Sequence, residues 1–425
     1  MLILANFEMQ LIEELRWLRS PEGLSVWEEL VALQEKERLK SLPLQVKLPD
    51  RRRHFLMEQL SYARLAREKF PNPEYWFWTK RLLEQASDYW CALETAADFP
   101  DQSKVLDICS GAGADAVALA RRCAEVIAVD QDPIACNLTE LNAARNHVYV
   151  VTKCCPAESL TLEDSPYVHL DPDRRSTGAK VSALREFQPS WETIATFLNQ
   201  CQGLSMKVAP ATTPAELPNP PSVVRFLSRN RSVRQQRWMW GLDRWPQDSL
   251  VISACLRNEW HHEIFPMSAY GRIKSGDYTH SRDVIQDSVT EFIADYEPAI
   301  RAANCSLAMA QRLGCQLLHQ EGGYLLRSQP IEHPMLRWFR VVEVLPLDRK
   351  KLIAYCRKFP ARQWEFKSRG VEVNLQELSR SIPTSADEDR VRTILFAKVE
   401  NRHRAIIADP LASDILNATS LPTSN

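Results

Sequence analysis

Two acids and two glycines stand at spacings that suit ligand chemistry. In "KVLDICSGAGADAVALA" (104–120) an apolar run holds Asp107, and a turn of small residues follows with Gly111 and Gly113. Glycines let a backbone turn tightly and approach a ligand without a Cβ in the way. The helix that opens next offers free N–H groups to a polar ligand group. The third glycine of the dinucleotide fingerprint is absent, and an acid sits in the strand itself. That acid would repel a pyrophosphate and welcome a cationic amino-acid moiety. Asp130 ends the next apolar run, "EVIAVD", where a carboxylate can accept both hydroxyls of a ribose. Asp115 opens the helix and suits its N-terminal dipole, either as a cap or as a ligand contact.

A further apolar run ends in chemistry. "YVHLDPDRRSTGAK" (167–180) delivers Asp171, Pro172, Asp173, Arg174 and Arg175 to its tip. Strand tips in open α/β sheets are where ligands bind, although Asp-Pro also makes ordinary turns. Asp171 can take a proton or a hydrogen bond from an amine. Arg174 and Arg175 suit a phosphate or a carboxylate better than a flat base face.

The elements that must position these residues are readable from texture. Short apolar runs at 105–108, 125–129, 148–151, 167–170 and 204–209 alternate with amphipathic segments at 115–124 and 133–146. That rhythm predicts βαβ units and a mostly parallel sheet. Asp132 is a natural N-cap, with Pro133 at the first helical position. Residues 1–95 read as helical, with an aromatic break at "FPNPEYWFW" (70–78) packed against something. "TPAELPNPPS" (213–222) is a connection, and "LVISAC" (250–255) reads as a late strand. From about residue 285 the texture becomes that of a smaller α+β domain: helix after Pro298, and strands at 338–347, 364–373 and 391–400.

Composition bounds the partners. The chain has 425 residues, 45% hydrophobic and 25% charged, with a net charge of −1. This is a globular protein of more than one domain, and any polyanionic partner must be held by local patches. Two such patches stand out. "VRFLSRNRSVRQQRWMWGLDR" (224–244) offers Arg229, Arg231 and Arg234 among aromatics, and 337–369 ends with Lys367 and Arg369. Arginines interleaved with aromatics suit RNA phosphates and unstacked bases. The 11 cysteines include no CxxC pair, so no metal site is expected. An odd cysteine count without a secretory signal points to reduced thiols in the cytoplasm. No stretch approaches the ~20 apolar residues of a membrane helix.

The set of strand acid, glycine turn and second-strand acid resembles the class I S-adenosylmethionine-dependent methyltransferases. The resemblance implies that Asp107, Gly111 and Gly113 hold the methionine end of the cofactor, that Asp130 holds its ribose, and that Glu158 lies beside its adenine, with Asp115 either a cap or a cofactor contact. Base N-methyltransferases carry Asp/Asn-Pro-Pro-aromatic at the fourth strand tip; Asp171-Pro172-Asp173-Arg174 lacks the second proline and the aromatic. An ordered series, "FWTKRLLEQAS" (77–87), "DICSGAGAD", "DPDRR", "MKVAPA" (206–211), "DYEPAIRAA" (295–303) and "FKSRGVEV" (366–373), is similar to a bacterial methyltransferase-like family with a C-terminal THUMP-like domain. There the usual tip motif is Asp-Pro-Ala-Arg-Arg, so Asp173 is a departure. Thr79, Glu84 and Gln85 are placed to close over the methionine end.

The resemblance implies a helical extension at 1–95, a Rossmann-like methyltransferase domain at 96–270, a linker or ferredoxin-like segment at 285–330, a THUMP-like domain at 331–410 and a tail at 411–425. The expected function is methyl transfer to RNA, with Asp171, Pro172, Arg174 and Arg175 at the acceptor. The rival readings are a non-catalytic RNA-binding protein and a methyltransferase of a small molecule or a protein.

Overall fold

The computed structural model describes residues 2–35, 48–164, 166–174, 187–214, 217–270, 284–319 and 323–411. The chain divides into two compact units, one formed by Met1–Val224 and Gln236–Gln247, the other by Arg225–Gln235 and Asp248–Asn425.

In the first unit four parallel strands surround the glycine turn: β1 (Lys104–Ile108), β2 (Glu125–Asp130), β3 (Val151–Cys154) and β4 (Tyr167–Leu170). β1 pairs with β2 on one side and β4 on the other, β2 pairs with β3, and β4 pairs with the parallel strand Gly203–Val208. The strand order reverses between β1 and β4, so their carboxyl ends frame a crevice. Strands covered on both faces read as continuous apolar runs, which is why "VLDI" and "VIAV" lack alternation. The last pairing is antiparallel, Leu204 to Trp240 through Val208 to Gln236.

One strand differs from its predicted position. The run "VYVV" (148–151) predicts the third strand, yet β3 starts only at Val151. The helix Pro133–Arg145 uses up the intervening residues in its C-terminal turn. His147 takes φ +57, and the Val148 N–H bonds back to the Ala143 carbonyl. That left-handed closure caps the helix and leaves Tyr149 83% exposed. The other end of the helix is as read, with the Asp132 side chain accepting from the Ile134 N–H and Pro133 next.

The helical extension is fastened to the glycine turn. It comprises Leu2–Leu18, Pro21–Glu35, Asp50–Ala66, Lys80–Gln85 and Tyr89–Ala96. The aromatic break packs as expected: Phe70 packs against both Trp76 and Trp78, whose rings stack at 5.7 Å. Buried Asn142 then ties the break to the turn. Its Oδ1 accepts the Phe77 N–H at 2.8 Å, and its Nδ2 donates to the carbonyls of Phe77 and Ala112. Gly113 sits at φ +83, where a Cβ would stand 2.9 Å from the Thr139 side chain. Only glycine fits that contact.

The second unit contains an eight-stranded sheet. In sheet order its strands are 285–286, 316–318, 325–327, 292–296, 336–346, 402–410, 391–399 and 363–368. Helices Arg349–Lys358 and Leu375–Ser381 contribute to a core of Leu352, Cys356, Trp364, Leu378, Ile394 and Phe396. The predicted strand 364–373 stops at Ser368, because Gly370 turns the chain at φ +66 and Val371 folds into that core. The segment expected from 250 is the strand Ser249–Leu256, paired antiparallel with Glu259–Pro266.

Replacing Asn142 by Ala leaves three buried backbone groups without partners. The expected loss is roughly 3 kcal/mol of stability, read as a lower midpoint in a urea titration followed by tryptophan fluorescence.

Candidate active site

The carboxyl ends of β1 and β2 open on a cleft lined among others by Cys109, Asp130, Gln131, Cys155, Glu158 and Pro189. Asp130 forms its floor. Its Oδ2 accepts the Gly111 N–H and its Oδ1 the Asp132 N–H, each at 2.9 Å. Burial pushes this carboxyl above its ordinary range, while the two backbone N–H groups pull it back. Gly111 takes φ +58, and a Cβ there would meet only Leu82, at 3.8 Å, so the turn stays open on that side. Thr139 Oγ1 steadies the turn by donating to the Gly111 carbonyl. Cys109, which begins the turn, holds φ +62, a left-handed conformation that costs a non-glycine residue about 1 kcal/mol.

Behind the cleft lies a buried chain of polar groups. Asp107 and His169 face each other on adjacent strands, Oδ1 to Nδ1 at 2.7 Å, and each is only 1% exposed. His169 Nε2 stands 3.7 Å from Asp115 Oδ1. The Ser87 hydroxyl donates to Asp115 Oδ2 at 2.6 Å. Lys207 Nζ donates to Ser87 Oγ at 3.0 Å and to Asp171 Oδ2 at 2.6 Å. Burial raises the Asp107 carboxyl, and the facing His169 offsets part of that. Burial would also raise Asp115, but His169, Lys207 and Arg237 outweigh it and hold that carboxyl below its usual range. Lys207 is the converse: burial disfavours its charge, and Asp171 and Asp115 together raise it above the ordinary lysine value.

The structure redistributes several predicted roles. Asp107 is not open to a ligand, since it is sealed in the sheet against His169. Asp115 is neither a cap nor a free contact; its carboxylate takes the Ser87 hydroxyl and faces His169. Thr79 Oγ1 caps the helix Lys80–Gln85 by accepting from Leu82, while Glu84 and Gln85 are exposed on that helix. Glu158 does line the cleft. Asp171 follows β4, its N–H held by the Ile108 carbonyl at 3.2 Å, with Pro172 buried next to it. The backbone of Asp173–Arg174 pairs with Phe187–Gln188, and Arg175 lies outside the described residues.

The side chains singled out in the basic patches turn inward, while Arg340, Arg349, Lys350, Lys351, Arg357, Lys358 and Arg362 of the second patch are exposed. In the second unit Asp295 is fully buried, and Lys367, Arg369 and Arg231 reach it at 2.9, 2.7 and 2.9 Å. Arg231 also reaches buried Glu297 at 3.2 Å. Arg229 is 7% exposed, and Arg234 is half-buried. The expectation that these side chains form a phosphate-facing surface is therefore corrected. A buried carboxylate must be paired, and Asp295 and Glu297 draw these cations in. Two residues absent from the predicted site belong to it, His169 and Lys207. Each is an ionisable residue inside an otherwise apolar strand run, "YVHL" and "LSMKVA", and that was the available signal.

Comparison with known proteins now has a geometry to attach to. Residues 105–170 match the model of a methyltransferase domain, and residues 336–410 that of a THUMP domain-like family. A solved Porphyromonas gingivalis W83 protein given as a methyltransferase superposes with a TM-score of 0.69 at 16% identity, over 91% of this chain and 99% of that one. A methyltransferase from Geobacter sulfurreducens, solved with S-adenosyl-L-homocysteine, gives a TM-score of 0.22 at 16% identity, over 29% of this chain and 48% of that one. No curated protein matches the sequence. The chain has a methyltransferase fold. More narrowly, the methyltransferase-domain match falls on 105–170, around the glycine turn, and the THUMP domain-like match on the C-terminal sheet.

The class implies S-adenosylmethionine, and the donor set of the cleft fits it. Asp130 supplies a carboxylate whose oxygens each carry a single N–H and keep accepting capacity for ribose hydroxyls. Glu158 supplies a second acid in the same cleft, and the open Gly111 turn leaves room for close approach.

Two outcomes follow. Asp130→Ala should weaken S-adenosylhomocysteine binding about 10- to 100-fold by calorimetry, the worth of hydrogen bonds to a charged group. The second concerns acid stability. Burial alone would raise Asp295, but Arg369, Lys367 and Arg231 hold its carboxyl below the ordinary aspartate range. The stability it contributes is therefore complete above the unfolded value and is lost as pH falls through the lower folded one. Asp295→Asn should remove that acid-side loss and lower the melting temperature at pH 7, as scanned by calorimetry across pH 2–7.

Proposed function

We propose that the protein transfers a methyl group from S-adenosylmethionine to RNA, with tRNA or rRNA as the acceptor. The observation that carries the transfer is the pairing of the Asp130 cleft with Asp171 at the strand-order reversal. The RNA assignment rests on the THUMP domain-like match over 336–410. Among the described residues no helix is long and apolar enough to cross a membrane. The cysteines are free, which suits a reducing cytoplasm.

In this reading Asp130, Gly111 and Glu158 hold the cofactor, which when bound supplies an electrophilic methyl group. Gly113 shapes the turn by its contact with Thr139. Asp171 accepts a hydrogen bond or a proton from the acceptor group. Its N–H bond to Ile108 and the buried Pro172 fix the loop, so the acceptor is aligned rather than activated at large cost. Arg174 and Arg175 serve a neighbouring phosphate. Asp107 acts from behind, as a sheet-buried partner of His169.

A second reading has one observation in its favour. Three of the residues singled out to bind RNA, Arg231, Lys367 and Arg369, pair internally with Asp295 and Glu297, which favours a small-molecule or protein acceptor.

The deciding measurement is transfer of tritiated methyl groups from S-adenosylmethionine to RNA, DNA, protein and small-molecule fractions of a strain lacking the gene. Label is expected in RNA, reduced at least about 100-fold by Asp171→Ala. Label in protein or small molecules instead would replace the acceptor. No label in any fraction would overturn the transferase reading.

A further inference from the structure

The acceptor-side carboxylate is not isolated. Lys207 Nζ stands 2.6 Å from Asp171 Oδ2 and 3.0 Å from Ser87 Oγ, and Ser87 in turn donates to Asp115 Oδ2 at 2.6 Å. Asp115 belongs to the helix that follows the glycine turn, and Asp171 follows β4. A single ammonium thus bridges the element that presents the cofactor turn and the loop that presents the acceptor group.

The strand pairing makes this placement costly unless it is used. Lys207 is directly opposite Arg237 in the antiparallel register, so two cations face each other across the ladder. Like charges in that position destabilise a sheet. Arg237 is fully buried and is turned to Ser205, with Nε to Oγ at 2.8 Å and a second bond to the carbonyl. Asp115 lies within electrostatic reach of both cations. Lys207 extends to the crevice mouth and makes its shortest contact with Asp171, whose side chain is 30% exposed. The titratable and charged groups around this pair are Asp115, Arg237, His169 and Asp107, all on elements packed against it.

We propose that Lys207 is the positioning residue for Asp171: its ammonium holds the carboxylate oriented at the acceptor position and, through Ser87, registers that carboxylate against the cofactor turn. The proposal rests on the methyl-transfer reading above. Asp171 Oδ2 receives the Lys207 hydrogen bond, which leaves Oδ1 for the acceptor. Without the ammonium, Asp171 would be free to rotate and Asp115 would lose a cation it depends on. Arginine can restore both the charge and a donor to each oxygen, whereas methionine restores only volume.

Two measurements test it. In the first, the Lys207 side-chain amine is followed by carbon-detected NMR of the lysine-labelled full chain through an alkaline titration. In Asp171→Asn the Lys207 amine should lose its proton at a lower pH than in the wild type. An unchanged titration would show that the pair is not coupled and would overturn the proposal whatever the activity. In the second, Lys207→Met should lower kcat about 100-fold while the KM for S-adenosylmethionine stays within about threefold, and Lys207→Arg should recover at least about a tenth of the lost rate. A Lys207→Met enzyme with wild-type kcat, or a loss that falls on KM alone, would overturn it. An inert wild type is a different result: it removes the transferase reading, whereas the failure of this proposal shows an active wild type and an equally active variant.

Discussion

A carboxylate inside a sheet must be answered by a charge or a donor, and this protein is organised around meeting that demand. Asp107 is 1% exposed at the centre of β1, between two parallel neighbours. Unpaired, an ionised carboxylate there would cost several kcal/mol. His169 on β4 meets it directly, and the next acid along, Asp115, is balanced by Lys207 through Ser87. The position of β4 relative to β1 is thereby fixed by chemistry as well as by backbone pairing. The crevice at their tips inherits that fixity, and it is where Asp171 stands.

The second unit answers the same demand with different residues. Asp295, fully buried in the strand Phe292–Tyr296, draws in Arg231, Lys367 and Arg369. Glu297 takes Arg231 and the Ser228 hydroxyl. Breaking such a cluster by removing one member strands the others in low dielectric, which is costlier than the cluster's net worth. Cations recruited in this way are structural first. Any contact of this unit with an anionic partner must come from other side chains.

The cleft at the strand tips depends on a different constraint, that of the turn. Gly113 is forced by the approach of Thr139, Gly111 is left open toward the ligand side, and Cys109 carries a left-handed backbone that the surrounding bonds must hold. Asn142 secures the arrangement from below by linking the turn to the aromatic break of the helical extension. The extension is therefore part of the site's support, although its polar residues Thr79, Glu84 and Gln85 do not line the cleft.

Much of this was legible in the sequence. The alternation of apolar runs and amphipathic segments defined the parallel sheet, because strands and helices have different side-chain periods. The Asp132-Pro133 start, the glycine turn, Asp130 and Asp171 followed from local chemistry that needs no partner to be recognised. What only the tertiary structure decided was which ionisable side chains face a ligand and which face one another. Asp107 reads as a ligand contact until His169 is seen 2.7 Å away, and Lys367 and Arg369 read as a phosphate surface until Asp295 is found among them. The partners are 62 residues apart in the first case and 74 in the bond of Arg369 to Asp295. Pairing over such separations is set by sheet register and packing, and a side chain's sequence neighbours carry no record of it.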